Sequence, residues 1–377
     1  MKTILAAGVT GVLLTATPTL ADIAVCVTVS ATGPAASLGA PQQATVSLLP
    51  TEVAGQKIKY ITFDDASDPT VATRNVRKCI EEQGADILVG SSPTPPTIAI
   101  AGVAGETETP LLALSPVTLP EKAEHWTFRL SQPVQLMAAA LIEHMKANDV
   151  KTLGFIGYSD GYGELWLDVI TRMLDGTGIS LGPVERYART DTSVTGQALK
   201  LVAAAPDAVL VAGSGTPAAL PNLALAERGY TGQIYHTHGS ASVDFLRVAG
   251  ATADGTILPV GPVMVAAQLP DDHPSKTLGT KYTVDYTAQH GENTLSPFGA
   301  YMFDAGQLIQ AAVPVALKTA SPGTHDFRMA LRNALENINN VVGVNGTYSM
   351  SPEDHDGRDQ RSRVLVKVQD GAWEYLH

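Results

Sequence analysis

Cysteine is scarce in this chain of 377 residues, and basic side chains are fewer than acidic ones. Cys26 and Cys79 are the only cysteines, too few for a structural zinc site of the four-ligand type. The 25 Lys and Arg residues are outnumbered by 37 Asp and Glu residues, which gives a net charge of −12. This acidic balance argues against nucleic acid and anionic membranes as partners, because both are polyanions. It does not exclude a small anionic ligand, since a pocket can supply its own donors.

The sequence leaves the state of the two cysteines open. An exported chain permits a disulfide, and two cysteines allow only one pairing. Cys26 falls in an apolar strand and Cys79 in a predicted helix, and neither lies in a loop that needs a covalent link. We therefore favour two buried thiols over a disulfide.

Long apolar runs are also missing, except at the N-terminus. Met1-Lys2 precedes the uncharged residues 4–16, and Thr19-Leu20-Ala21 places small residues just before Asp22. This pattern is typical of a secretory signal peptide over residues 1–21, cleaved after Ala21. The run is too short to span a bilayer, which needs roughly 20 apolar residues. We therefore expect an exported mature chain.

Short apolar strands alternate with helices in two successive units, which predicts an α/β fold of two doubly wound lobes with parallel sheets. The first unit has predicted strands at 23–30, 55–65, 85–90 and 109–115, with a helix at 70–83. The second has strands at 151–159, 180–187, 207–213 and 232–239, and helices at 134–147, 163–175, 194–204 and 217–228. A loop-like segment at 260–275, helices at 275–290, 299–318 and 324–338, and strands at 347–350 and 362–368 complete the chain, with a hairpin turn at Asp370-Gly371.

Enzyme motifs are weak throughout the sequence. His236 and His238 stand two apart on a predicted strand and could face one side, but no nearby Asp, Glu or Cys run completes a metal site. Residues 213–218 (GSGTPA) imitate a dinucleotide fingerprint without the acidic residue expected about 20 positions later. We expect no catalytic residues, no metal and no cofactor. A secreted metal-dependent enzyme using the two histidines remains the least favoured alternative.

Small hydroxyl side chains recur where predicted strands end. They occur in four segments, namely 30–37, 91–97, 115–118 and 214–216. In open α/β sheets, ligands bind beyond the carboxyl ends of the strands, where hydroxyl and N–H groups can hold a carboxylate. Any one of these residues could instead be a helix cap. Four segments on two lobes favour a shared binding cleft.

Several short segments, in this order and spacing, resemble the type I periplasmic solute-binding proteins of ATP-driven (ABC) importers, in particular the branched-chain amino-acid family. The segments are 32–39 (TGPAASLG), 63–69 (FDDASDP), 89–94 (VGSSPT), 114–116 (LSP), 158–164 (YSDGYGE) and 298–301 (FGAY). The resemblance implies two lobes joined by a three-strand hinge that closes on a ligand. It assigns residues 22–131 and 264–345 to lobe 1, and residues 132–263 and 346–377 to lobe 2.

The resemblance also implies a set of ligand contacts. The first lobe's loops, including Thr94 and the 115–118 segment, are expected to hold a ligand carboxylate. Tyr162 is expected to reach in from the second lobe, and Phe298 to pack on the ligand. The candidate ligand-binding residues are Leu38, Ser92, Thr94, Thr97, Ser115, Thr118, Tyr162, Ser214, His238, Phe298 and Tyr301.

Departures from the family pattern point to the ligand. His238 stands where amino-acid binders usually carry an acid that pairs with the ligand ammonium, and imidazole suits a carboxylate, keto or hydroxyl oxygen better. Ser214 replaces a common Tyr, and Ser67 stands where some members have a cysteine. We therefore expect a monomeric periplasmic protein that delivers an aromatic acid or aromatic 2-keto acid to the permease subunits of an ABC importer. The alternative is a branched-chain or other amino-acid binding protein.

Overall fold

The first third of the chain forms a six-stranded sheet with helices on its faces. The computed structural model describes residues 21–292 and 294–376, so the predicted signal peptide lies outside the described residues apart from Ala21. The elements of this part are β1 (Ile23–Val29), α1 (Ala36–Thr45), β2 (Glu52–Val53), β3 (Gln56–Asp64), α2 (Pro69–Gln83), β4 (Ile87–Gly90), α3 (Thr94–Thr107), β5 (Leu111–Ala113), α4 (Glu121–Glu124) and β6 (Thr127–Arg129). The strand order is β2-β3-β1-β4-β5-β6, and every pair is parallel except β2 with β3.

The next part of the chain supplies most of a second sheet. Its elements are α5 (Val134–Ala147), β7 (Thr152–Tyr158), α6 (Gly161–Met173), β8 (Ser180–Tyr187), α7 (Thr195–Ala204), β9 (Ala208–Ala212), α8 (Ala219–Glu227), β10 (Gln233–His236), α9 (Val243–Ala249) and β11 (Ile257–Val260). These strands run parallel to one another, and the later strand β14 pairs antiparallel with β11. Strands β1, β4, β9 and β11 are buried along their whole length, as parallel strands covered on both faces must be.

The last part of the chain returns to both sheets. Its elements are α10 (Lys276–His290), α11 (Pro297–Ala316), α12 (His325–Glu336), β12 (Val341–Val342), β13 (Thr347–Tyr348), β14 (Val364–Gln369) and β15 (Ala372–Leu376). Helices α11 and α12 pack in the core of the first sheet, whereas β14 and β15 extend the second sheet to the order β15-β14-β11-β10-β9-β7-β8. The hairpin predicted at Asp370-Gly371 is confirmed, because Gln369 pairs with Ala372 across it. The α/β fold with two parallel-stranded lobes is therefore confirmed.

The division into lobes follows the two sheets, and we keep it as a proposal. The chain crosses between the sheets after β6, after β11 and between β13 and β14. One boundary needs to move: Thr347 pairs with Val342, and Tyr348 and Met350 belong to the core beside the first sheet. The third crossover is therefore better placed after Met350 than at residue 345.

Polar contacts tie the three crossovers together. Gln132 in the first crossover accepts a hydrogen bond from the Tyr301 hydroxyl (2.6 Å) and donates to the carbonyl of Ser362 in the third (3.2 Å). Gly261 lies in the second crossover, where a Cβ atom would stand 2.6 Å from the Gln132 amide nitrogen. Buried Asp304 on α11 accepts bonds from the backbone of Val344 and from other groups near β13. Burial raises the pKa of Asp304 to about 6.

The prediction of two free thiols is wrong. Cys26 on β1 and Cys79 on α2 form a disulfide, with their Cα atoms 6.0 Å apart. Helix α2 packs against β1 and brings the two buried side chains together, which the sequence positions alone do not reveal. The covalent link therefore lies inside the first lobe.

Other sequence predictions need smaller corrections. The elements that were not predicted are helices α1, α3, α4 and α9 and strands β2, β6, β11 and β12. Part of 260–275 forms a 3-10 turn over Pro262–Gln268. The predicted strand at 232–239 ends at His236, and His238 begins a separate 3-10 turn. Within the described residues, no helix combines the length and the apolar character that crossing a membrane requires.

Candidate functional site

A small cavity lies between the two lobes, at the carboxyl ends of their parallel strands. Its walls come from loops after β4, β5, β8, β9 and β10, from the starts of α3, α6 and α11, and from the first crossover. The lining residues are Leu38, Ser92, Pro93, Thr94, Leu114, Ser115, Pro116, Ser131, Tyr162, Arg189, Ser214, His238, Gly239, Phe298 and Tyr301. Nine of the eleven candidate residues therefore lie around one cavity.

Thr97 and Thr118 lie elsewhere. Thr97 sits in the first turn of α3, where its buried hydroxyl contacts the carbonyl oxygens of Ser91 and Pro93. It also accepts bonds from the Ser91 N–H and the Ser115 hydroxyl. Thr118 lines a separate surface depression together with Arg129 and Gln132. Thr97 thus supports the loop behind the cavity, and Thr118 is not brought to it.

The hydroxyl groups of the first lobe donate to other protein groups. Thr94 donates to the carbonyl oxygen of Pro116 (2.9 Å), and Ser115 donates to the hydroxyl of Thr97 (2.8 Å). Ser92 contacts the side-chain oxygen of Gln42 at 2.5 Å. A hydroxyl has one proton to donate, so a ligand carboxylate would have to displace one of these bonds.

The start of α3 is also poor in donors. Thr94 is the first residue of the helix, not part of a loop as the sequence suggested. Pro95 and Pro96 follow it and carry no N–H, although helix N-termini bind anions through such groups. The first lobe therefore presents a polar wall with few free protons.

Arg189 supplies the positive charge of the cavity from the loop after β8. Its Nε donates to Asp160 (2.5 Å), and its Nη1 donates to the hydroxyl of Ser214 (2.8 Å). The guanidinium carbon lies 4.1 Å from the ring centre of Tyr158, a cation–π contact. These contacts fix the plane of the guanidinium group, while the buried Nη2 has no hydrogen-bond partner in the protein.

Asp160 is held in place at the other end of this ion pair. Its carboxylate caps α6 by accepting the N–H groups of Tyr162 (2.9 Å) and Gly163 (3.4 Å). Sequence reasoning missed Arg189 because an isolated Arg after a strand resembles a solvated surface charge. The pairing with Asp160, 29 positions earlier, becomes visible only when β7 and β8 lie side by side.

His238 is buried at the end of β10 and stands among aromatic rings. Its ring centre lies 6.2 Å from that of Tyr162 and 5.8 Å from that of Trp166. Burial, with a smaller contribution from the charge of Arg358, lowers the pKa of His238 to about 3, so the ring is neutral at pH 7. Its Nδ1 has no hydrogen-bond partner in the protein.

His236 does not share this cavity. Its Nδ1 contacts the Ser240 hydroxyl at 2.7 Å and its Nε2 contacts the Asn222 side-chain oxygen. The strand ends between the two histidines, so the alternation expected of a longer strand does not apply. Over residues 21–292 and 294–376, the structure contains no group of three His, Cys, Asp or Glu side chains arranged to hold a metal ion.

Aromatic and apolar side chains complete the walls. Tyr162 donates its hydroxyl proton to Thr237 (2.8 Å), which leaves its ring against the cavity. The Phe298 and Tyr301 rings, at the start of α11, lie 6.3 Å apart in an edge-to-face arrangement. Leu38 from α1 adds an aliphatic surface. The cavity therefore offers a flat ligand several aromatic contacts.

The two lobes touch at the rim of the cavity. The N–H of Thr216 donates to the hydroxyl of Ser37 across the cleft (3.3 Å). Gly215, with φ +62°, lies so close that a Cβ atom there would stand 2.5 Å from the Ser37 oxygen and 2.7 Å from Leu38. The structure therefore has the lobes closed over the cavity.

The charge of the cavity wall has one sign. Arg189 is the only charged residue among the described residues that line it, because His238 is neutral and no Asp or Glu is present. An anion gains a partner there, whereas an ammonium group would be buried without a carboxylate.

Comparisons with known proteins agree with this architecture. The sequence profile of the periplasmic binding protein family matches residues 22–372. An extracellular ligand-binding receptor from Rhodopseudomonas palustris HaA2 is 44% identical, with a TM-score of 0.93, over 95% of this chain and 100% of that one. No curated protein sequence matches the chain.

More distant structures share the fold and carry different ligands. A solute-binding protein of an ABC transporter from Rhodopseudomonas palustris BisB5, in complex with 3,4-dihydroxybenzoic acid, is 19% identical with a TM-score of 0.79, over 94% of this chain and 95% of that one. The branched-chain amino acid transporter substrate-binding protein LivJ from Streptococcus pneumoniae, in complex with isoleucine, is 16% identical with a TM-score of 0.79, over 94% and 99%.

Proposed function

The chain belongs to the periplasmic binding protein family, and on that premise we propose that it captures a small aromatic carboxylate and delivers it to an ABC importer. The ligand class is an aromatic acid or aromatic 2-keto acid. The partners are the permease subunits of the importer, and the working form is a monomer in the periplasm, released from its leader after Ala21. No catalytic step is part of this function.

The observation that carries the proposal is the unpaired Nη2 of Arg189 in a cavity without acidic side chains. The guanidinium group is fixed by Asp160, Ser214 and Tyr158, so a carboxylate can bind it without a further loss of side-chain freedom. We propose that the ligand carboxylate pairs with Arg189, and that the hydroxyl groups of Thr94 and Ser115 shape the opposite wall. This places the anion on the second lobe, whereas the family resemblance suggests the first.

The aromatic part of the proposal depends on the shape of the walls. The rings of Tyr162, Phe298 and Tyr301 and the side chain of Leu38 surround the space beside the guanidinium group. Flat rings stack well on such surfaces. The two distant structures with 3,4-dihydroxybenzoic acid and isoleucine indicate that this fold accepts either kind of ligand, so the choice depends on the residues of this cavity.

Two alternatives find less support. A branched-chain or other amino acid brings an ammonium group, which the lining residues cannot pair with a carboxylate. A metal-dependent enzyme would need His236 and His238 together, yet both ring nitrogens of His236 are already engaged. The resident polar groups therefore favour a ligand with one negative and no positive charge.

Thermal unfolding of the leader-free protein with two ligand panels tests the proposal. One panel contains benzoate, benzoylformate, phenylpyruvate and 4-hydroxycinnamate, and the other contains leucine, isoleucine, valine and phenylalanine. A ligand at 100 times its Kd stabilises the folded state by about 2.7 kcal/mol. We expect stabilisation by aromatic acids alone. Stabilisation by the amino acids alone would contradict the assignment of the cavity charge.

A further inference from the structure

The cavity contains two more polar groups that the carboxylate does not use. The hydroxyl oxygen of Ser131 and the Nδ1 of His238 are buried and have no hydrogen-bond partner in the protein. Both residues are nearly inaccessible, with exposures of 1% and 3%. A buried polar group without a partner costs about 1–3 kcal/mol. Two such groups on the wall of a binding cavity indicate that a ligand atom completes them.

Ser131 lies at the hinge, in a stretch of backbone that is held by several hydrogen bonds. It follows β6 in the first crossover, and the carbonyl oxygens of Leu130 and Ser131 accept hydrogen bonds from the guanidinium group of Arg358. The next residue, Gln132, is fixed by Tyr301 and by the carbonyl of Ser362. The backbone on both sides of the Ser131 hydroxyl is therefore anchored.

His238 lies on the hinge side of Arg189. Arg189 follows β8, the edge strand of the second sheet, and reaches Ser214 at the end of β9. His238 follows β10, which neighbours β11, the strand that leads into the second crossover. Neighbouring strands are about 4.8 Å apart, so the imidazole lies beyond the guanidinium group in the direction of the hinge. Among the lining residues, the cationic Arg189 thus lies at one end and the uncharged Ser131 and His238 lie at the other, with the guanidinium group of Arg358 behind Ser131.

The hydrogen-bonding chemistry of Ser131 and His238 determines which ligand group can bind beside them. A serine hydroxyl can donate and accept, and a neutral imidazole nitrogen either donates or accepts according to its tautomer. A ligand hydroxyl can also do both, so it pairs with Ser131 and with either tautomer of His238. A methyl or an unsubstituted ring edge would leave both groups unpaired.

We propose that the ligand is a hydroxylated aromatic acid whose hydroxyl end is recognised at the hinge by Ser131 and His238. This inference rests on the proposed function, because it takes the carboxylate to be bound by Arg189 at the other end. It adds a specificity determinant that the family resemblance does not assign: Ser131 was not among the candidate residues. The ring lies between the two ends, against Tyr162 and Phe298.

Matched ligand pairs and one small substitution test the inference. Isothermal titration calorimetry on the leader-free protein compares benzoate with 4-hydroxybenzoate and 3,4-dihydroxybenzoate, and cinnamate with 4-hydroxycinnamate. We expect at least one hydroxylated acid to bind ten times more tightly than its unsubstituted partner. In Ser131→Ala this preference falls to threefold or less, while the affinity for the unsubstituted acid stays within twofold.

Ser275→Ala is the matched control, because it also removes a buried hydroxyl without a hydrogen-bond partner in the protein, but one that does not line the cavity. It should keep the preference for the hydroxylated acid. Equal affinities of wild-type protein for both members of every pair would overturn the inference while leaving the aromatic-carboxylate function intact. Binding of no aromatic acid at all would remove the proposed function itself. The wild-type comparison decides the matter even where a variant is unstable.

Discussion

The two lobes share an architecture but differ in how their polar groups are satisfied. In the first lobe, the hydroxyl groups of Ser92, Thr94 and Ser115 each have a partner in the protein, and a disulfide joins β1 to α2. In the second lobe, Arg189 and His238 each retain a buried nitrogen without a partner. The difference teaches that a polar residue at a strand end marks a ligand contact only when its hydrogen bonds are incomplete.

Removing the disulfide should produce the largest change, and only in the stability of the first lobe. The bond closes a loop over a sequence separation of 53 residues, for which the loop-entropy relation gives about 4 kcal/mol. We expect the double variant Cys26→Ala/Cys79→Ala to lose roughly this free energy of unfolding in urea titrations, with ligand affinity within twofold of wild type. Wild-type protein titrated with and without a reductant provides the control. A variant as stable as the oxidised protein would contradict the prediction.

Arg189→Met should produce the next largest change, in affinity. We expect the Kd for the best aromatic acid to rise at least 100-fold, about 2.7 kcal/mol, because the carboxylate loses its only cationic partner. Calorimetric titration measures the change. Arg186→Met is the matched control: it lies on β8 and pairs with exposed Glu164 outside the cavity, so affinity should not change. Thr94→Val is the corresponding substitution in the first lobe, and we expect it to raise the Kd less than threefold. A larger loss from Thr94→Val than from Arg189→Met would reverse the contrast between the lobes.

The strands of five or more residues could be predicted because apolar runs of this kind have few alternatives, whereas two first-lobe helices of ten or more residues could not. Helix α1 contains Pro41, and α3 begins with Thr94 and two prolines, so both resemble loops by composition. Proline is acceptable in a first helical turn because no N–H is needed there. Nine of the eleven candidate residues lie around one cavity, since strand ends meet at one edge of each sheet. Which hydroxyl protons are already donated depends on partners 18 to 50 positions away and is not written in any local pattern.

Acidification should produce the smallest of these effects. We expect His238 of the second lobe and Asp304 of the first lobe to change the free energy of unfolding in opposite directions. Burial lowers the pKa of His238 to about 3, so between about pH 6.5 and pH 3 the unfolded chain binds a proton that the folded chain does not. The free energy of unfolding therefore decreases as the pH is lowered through this window, by up to about 1.4 kcal/mol per pH unit. Asp304 of the first lobe, with its pKa raised to about 6, binds its proton earlier when folded and favours the folded state as the pH falls from 6 towards 3.8.

Variants separate these two contributions. When the pH is lowered from 7 to 5, the free energy of unfolding of His238→Gln in urea titrations should decrease by about 1–2 kcal/mol less than that of wild type. The free energy of unfolding of Asp304→Asn should decrease more than that of wild type over the same interval, because the folded variant no longer takes up a proton at the Asp304 carboxylate. Identical pH dependence in wild type and His238→Gln would show that the imidazole is not a buried neutral group.

The position of Trp166 has an optical consequence. Its indole is fully buried behind the cavity wall, and its ring centre lies 5.8 Å from that of the wall residue His238. The other two tryptophans lie away from the cavity, Trp126 in the core of the first lobe and Trp373 on β15. An aromatic acid that binds beside His238 changes the polarity around Trp166 and leaves the surroundings of the other two tryptophans unchanged. The protein therefore carries its own fluorescent reporter of ligand occupancy, and needs no attached dye to be read.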